Sequence, residues 1–130
     1  MSWWKMFLGM LLMNDQETQL EKRRDDYGTL RITENREGYR FLYFGEQTEQ
    51  SCIFMADPAW LEYDYTRAML LGAFWCRTDP QMTLLGLGGG ALANCLVRHF
   101  SPAGVQVVEL RGEVLTLAKE WLGQIGRAHV

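Results

Sequence analysis

The stretch Met82-Thr-Leu-Leu-Gly-Leu-Gly-Gly-Gly-Ala-Leu-Ala93, continued to Val107-Val-Glu109, decides the fold, because it reads as strand, glycine loop, helix and second strand. Leu84 and Leu85 end an apolar run, and Gly86, Gly88, Gly89 and Gly90 permit a tight turn in which the backbone can approach a ligand closely. A helix starting near Ala91 then offers unpaired N–H groups and the positive end of its dipole to polar or anionic groups. Glu109 closes the second apolar run nineteen residues beyond Gly90, near where a dinucleotide-type fold places a carboxylate that accepts both ribose hydroxyls. Gly86, Gly88 and Ala91 also satisfy GxGxxA, so a nicotinamide-dinucleotide site is an alternative that the small sheet ahead of the unit suits less well.

Outward from this unit, alternating strand and helix imply parallel pairing with right-handed crossovers. The expected elements are a strand from Met82 to Leu85, a helix from Ala91 to Phe100, a strand from Val105 to Glu109 and a helix from Glu113 to Leu122. His99 at the first helix's end complements the helix dipole. Two parallel strands and two helices cannot cover both faces of such a sheet, so further strands are expected in a longer protein. The last six residues, Ile125-Gly-Arg-Ala-His-Val130, resemble a translated sequencing adapter, and a native end near Gln124 is expected.

Towards the N-terminus, Leu61, Tyr65, Met69 and Ala73 form one stripe of an expected helix from Ala59 to Cys76, begun by Asp57-Pro58. Before it the period becomes alternating. Leu30 and Ile32, then Tyr39, Phe41 and Tyr43 after a turn at Asn35-Arg-Glu-Gly38, predict a hairpin, and Ser51 to Met55 a third strand. Gln16 to Asp26 is polar apart from Leu20 and reads as a solvated helix end or linker. The domain organisation is therefore residues 1–26 as helix and linker, 27–58 as a small β-sheet, 59–124 as the start of the nucleoside-binding unit, and 125–130 as a non-native tail.

Residues 2–13 are apolar but are interrupted by Lys5 and lack a signal-peptide cleavage pattern, and the run is too short to cross a bilayer. Trp3, Phe7, Met10 and Leu11 share a helical stripe suited to docking on the rest of the protein or on a second subunit, with membrane-surface attachment as the alternative. The five tryptophans read as packing residues, Trp3 and Trp4 being the candidates for subunit contact. A net charge of −3 without a clustered basic face argues against nucleic-acid binding. Cys52, Cys76 and Cys95 form no CxxC pair and have only two histidines for company, so they read as reduced core thiols of a cytoplasmic protein rather than metal ligands.

Phe44-Gly45, Gln50-Ser51, Asp57-Pro58, Asp64-Tyr-Thr-Arg-Ala-Met69, Leu85-Gly-Leu-Gly-Gly-Gly90 and Val108-Glu-Leu110 together resemble the spermidine synthase family of polyamine aminopropyltransferases, and its divergent bacterial members above all. The resemblance covers about Tyr27 to Leu122. It implies an α/β fold, a small N-terminal antiparallel β-sheet followed by a truncated Rossmann-like, class I methyltransferase-type parallel βαβα unit. It also implies transfer of an aminopropyl group from decarboxylated S-adenosylmethionine to a polyamine acceptor, a homodimer as a possible assembly, and no metal.

Carried over by resemblance, Gly86, Gly88 and Gly90 lie beside the nucleoside, Glu109 takes the ribose hydroxyls, and Gln50 and Tyr65 lie near cofactor and amine. Catalytic residues are not assigned, because the family's acid lies beyond the fourth strand, and the 130-residue chain is expected to be inactive alone. Two departures stand out. Gly89 replaces the aspartate that active members carry inside the loop, and Arg111-Gly112 replaces Asp-Pro after the second strand, a change expected only to reshape the turn. Leu84 stands where methyltransferases proper carry an acid, although S-adenosylmethionine as ligand of a methyltransferase is one alternative. A non-catalytic nucleoside-binding or assembly protein of the same fold is the other.

Overall fold

The computed structural model describes residues 17–75, 80–100 and 104–124. The apolar stripe of residues 3–11, Cys76 and the tail 125–130 lie outside the described residues.

Four strands, β1 (Thr18–Asp25), β2 (Gly28–Glu34), β3 (Tyr39–Phe44) and β4 (Thr48–Phe54), form an antiparallel sheet in sequence order. The predicted hairpin is β2–β3, with Ile32 opposite Leu42. Its turn is tied by Asn35 Oδ1, which accepts the N–H groups of Glu37 and Tyr39, both at 3.0 Å. After helices α1 (Asp64–Met69) and α2 (Leu71–Phe74) come β5 (Gln81–Leu85), α3 (Ala91–Phe100), β6 (Gly104–Val108) and α4 (Gly112–Trp121), with β5 and β6 parallel. The α/β architecture is the expected one: an antiparallel sheet followed by a parallel βαβα unit.

The linker reading of residues 16–26 is corrected, since residues 18–25 are β1. Its polarity reflects an edge position, where one side of the ladder is free and charged side chains are normal. Leu20 packs against the core, Lys22 pairs with Glu46 at 2.9 Å, and Arg23 reaches Glu120 at 2.5 Å and Glu113 at 3.4 Å on α4. The strand is recruited by its ladder and by α4 rather than by an apolar period of its own.

The single helix expected from Ala59 to Cys76 is also corrected. It starts only at Asp64 and is divided at Leu70, which caps α1 and precedes α2, where Gly72 weakens helix formation. Neither short helix contains a buried residue, so the Tyr65 and Met69 stripe is not core. Trp60 and Trp75 are exposed too, whereas Trp121 packs on the core as expected.

One apolar core runs through both sheets. Leu30, Ile32, Leu42 and Ile53 from the antiparallel sheet meet Leu87, Val107 and the α4 face Val114, Leu117 and Ala118. Beside it, Arg111 lies 7% exposed and donates from Nε and a terminal nitrogen to the two Asp25 oxygens at 2.9 and 2.6 Å. The same guanidinium donates to the Gly28 carbonyl and stacks 4.5 Å over Phe44. Arg111 therefore does more than reshape a turn, because it clamps the end of β6 to the β1–β2 hairpin.

Arg111→Ala leaves a half-buried carboxylate unpaired and lowers unfolding free energy by roughly 3 kcal/mol, measured by urea denaturation. The Arg111 guanidinium holds the Asp25 carboxyl below its ordinary range. Its contribution is therefore complete above the unfolded-state value of about 4 and is lost as pH falls through the folded value. Asp25→Asn should accordingly flatten the acid limb of a stability-against-pH curve below about pH 4. Burial pushes the Cys52 thiol up to about 12 and also raises Cys95. Mass spectrometry after maleimide treatment at pH 8 should find Cys52 and Cys95 unmodified in native protein and modified in urea; native labelling of either contradicts the packing.

Candidate functional site

The glycine loop leaves β5 at Leu85 and enters α3 at Ala91. Gly86, Gly88 and Gly90 hold φ of +86°, +56° and +92°, which side-chain-bearing residues rarely adopt. The first loop N–H, Gly86, donates to Val108 O at 2.7 Å, so the loop springs from the β5–β6 ladder.

Glu109 stands one residue past β6, 9% exposed. Its Oε2 accepts Leu87 N–H at 2.7 Å and its Oε1 accepts Arg111 N–H at 3.0 Å. A carboxylate has about four acceptor positions, so acceptor capacity remains for ligand hydroxyls. Arg111, absent from the sequence-based site, holds the turn that carries this acid.

The second wall comes from β4. A bulge between Leu42 and Tyr43, which pair with Ser51 and Glu49, leaves Gln50 as the extra residue. Bulges re-aim side chains, and Gln50 lines the cleft. Ser51 Oγ accepts Gly89 N–H at 2.7 Å, joining the antiparallel sheet to the loop. Behind α3, Asn94, 1% exposed, donates to the carbonyls of Pro58 at 3.3 Å and Gly123 at 3.1 Å, fixing the chain before α1 and after α4 to the same helix.

The third wall is α1. Tyr65, Thr66 and Met69 face the cleft, and Tyr65 stacks on Tyr63 with centroids 5.7 Å apart. Tyr63 donates to Glu49, and burial together with that carboxylate raises its phenol far above the ordinary range. The structure thus brings Gln50, Tyr65, Gly86, Gly88, Gly90 and Glu109 around a single cleft of about 400 Å³. That volume lies in the roughly 300–1,000 Å³ range of small-molecule sites. Sequence reasoning missed Ser51, Asn94 and Arg111 as supports. Only Asn94 carried a local signal, a polar side chain inside the apolar run Ala91-Leu-Ala-Asn-Cys-Leu96.

Among the described residues no group of three or more His, Cys, Asp and Glu is placed to hold a metal ion. In the same residues no helix is long and apolar enough to cross a membrane.

No protein-family model matches the chain. Among curated proteins it is 33% identical over 81 residues to a polyamine aminopropyltransferase of Chromobacterium violaceum, and 30% identical over 81 residues to one of Neisseria meningitidis serogroup A. Each match covers 62% of this chain and 31% of the relative, so the chain spans about a third of the length of the curated relatives it matches. Among solved structures, spermidine synthase from Thermotoga maritima superposes with a TM-score of 0.64 at 17% identity, covering 85% of this chain and 39% of that one. A probable spermidine synthase from Corynebacterium glutamicum gives 0.63 at 24% identity, covering 87% and 43%. At these identities the structural likeness establishes the shared fold. Both sequence and fold therefore lead to one group: the chain is similar to the spermidine synthase family of polyamine aminopropyltransferases.

Proposed function

We propose that this chain supplies the nucleoside-binding part of a spermidine synthase-like aminopropyl transfer site, whose ligand is decarboxylated S-adenosylmethionine or the methylthioadenosine left after transfer. The observation that carries the reading is Glu109, a carboxylate anchored to the glycine loop at Leu87 N–H with acceptor capacity to spare, inside a cleft that also holds Gln50 and Tyr65. A pair of neighbouring ribose hydroxyls suits that acid. The loop glycines allow the nucleoside to approach the backbone, and the aromatic and thioether side chains of Phe44, Tyr65 and Met69 provide apolar surface.

Moving an aminopropyl group breaks the sulfonium C–S bond while an amine forms a new C–N bond and loses a proton. The leaving group is the neutral thioether. Such a displacement depends largely on holding donor and acceptor in line, and the chain's own residues act on the nucleoside end of it. The amine's proton acceptor belongs to no residue assigned here. The polyamine acceptor and the cytoplasmic setting belong to the same proposal, as does a division between the antiparallel sheet, which β1 extends back to Thr18, and the unit from residue 59 onward.

Two other readings have specific readouts. Tighter binding of S-adenosylmethionine than of its decarboxylated form favours methyl transfer. Gly89, which puts no carboxylate in the loop, favours a binding or assembly protein, recognised by nucleoside binding without turnover in the longer protein.

The direct test is calorimetry on Glu109→Ala and Glu109→Gln with methylthioadenosine and decarboxylated S-adenosylmethionine. Loss of the carboxylate should weaken binding at least tenfold, about 1.4 kcal/mol. Thermal melting run alongside separates this loss from collapse of the loop. A folded Glu109→Gln protein that binds with unchanged affinity contradicts the assignment of Glu109.

A further inference from the structure

Helix α1 carries Tyr65, Thr66 and Met69 into the cleft wall but has little of its own to hold it there. It is six residues long, none of them buried, and its N-cap, Tyr63, makes no side-chain capping bond. An isolated helix needs about 12–15 residues to be even marginally stable in water, so contacts outside α1 set its place. The bonds of Arg67 run to Asp64 and to the Leu61 carbonyl, within the same stretch of chain. Tyr63 reaches further. Half-buried, it stacks on Tyr65 with 21° between the rings and donates its hydroxyl to Glu49 Oε1 on β4.

The place of Glu49 matters twice. It precedes Gln50, the extra residue of the β4 bulge, and pairs with Tyr43 across the ladder. Tyr43 has one hydroxyl proton and lies closer to Glu17, at 3.1 and 3.2 Å, than to Glu49, at 3.4 Å. Glu17 takes that proton together with the Thr33 hydroxyl at 2.6 Å, which leaves the Tyr63 hydroxyl as the close donor to Glu49. Burial of the phenol and the Glu49 carboxylate beside it raise Tyr63 far above the ordinary phenol range, so the donor persists through neutral pH. A bond to an ionised acceptor is also stronger than one between neutral groups.

We propose that Glu49 is a positioning residue of the cleft: it holds Tyr63 at the N-terminus of α1, Tyr63 holds the Tyr65 ring by stacking, and the β4 bulge that aims Gln50 thereby also places Tyr65. Glu49 acts through Tyr63 and does not itself line the cleft. Its effect on a ligand rests on the nucleoside reading of the cleft, whereas its hold on α1 does not.

Two measurements on the full chain separate these levels. Trypsin cuts after Arg67 when α1 opens, and in Tyr63→Phe and Glu49→Ala that cut should come about fivefold faster, with cleavage after Arg98 in α3 unchanged. Glu49→Gln, whose amide carbonyl still accepts the phenol proton, should stay near the parent rate. An unchanged rate at Arg67 in both Tyr63→Phe and Glu49→Ala, or an equal acceleration at Arg98, overturns the positioning role. Calorimetry with methylthioadenosine reads the ligand side. Tyr63→Phe and Glu49→Ala should each bind about fivefold more weakly, the Tyr63→Phe/Glu49→Ala protein no more weakly than either, and Glu49→Gln close to the parent. Losses that add in the double variant, or unchanged affinity beside faster cleavage, overturn the link from Glu49 to the cleft. No binding of methylthioadenosine by the parent chain overturns the nucleoside reading instead, and cleavage at Arg67 still decides the hold on α1.

Discussion

The site depends on one carboxylate that cannot be left alone. Glu109 is nearly buried and satisfies its oxygens with two backbone N–H groups, Leu87 in the glycine loop and Arg111 at the start of α4. Burial of an acid is tolerated when such partners exist, and the same bonds give two irregular segments a fixed shape. Arg111 then passes the constraint outward. Its guanidinium binds Asp25 through two bonds and lies over Phe44, a residue of the cleft wall. A continuous line of polar contacts thus leads from the loop through Glu109 and Arg111 to the β1–β2 hairpin.

The antiparallel sheet is more than a neighbour of the nucleotide-type unit. Its β2, β3 and β4 residues share a core with Leu87, Val107 and α4, and Ser51 bonds directly to the loop. The bulge at Gln50 also belongs to this contact, since it lets Ser51 and Gln50 both serve the cleft although strict alternation would send adjacent residues to opposite faces. Gly89, where the resemblance implies an aspartate, lies in close approach to Ile53.

Legibility followed the range of the forces. The β5–loop–α3–β6 series was readable because its causes are local: apolar strands, glycines at positive φ, and a helix with an apolar face. The β2–β3 hairpin was readable for the same reason, with alternation on either side of an Asn35 turn. β1 was not, because Thr18–Asp25 becomes a strand through its ladder to β2 and through Arg23 reaching α4, ninety or more positions away. The stripe of Tyr65 and Met69 has helical spacing, yet periodicity says only that two side chains share a face; here that face borders a cleft.

By itself the sequence determined the strand–loop–helix–strand unit, the place of Glu109 at its end and the resemblance carried by the motifs, since each rests on residues close together in the chain. Only the tertiary structure decided that Gln50, Tyr65, three glycines and Glu109 meet in one cleft, that Arg111 is a clamp, and that Gly89 lies against Ile53 and Ser51. These are contacts between segments twenty to ninety residues apart, fixed by core packing and by the need of buried polar groups for partners, and neither is written in any local pattern.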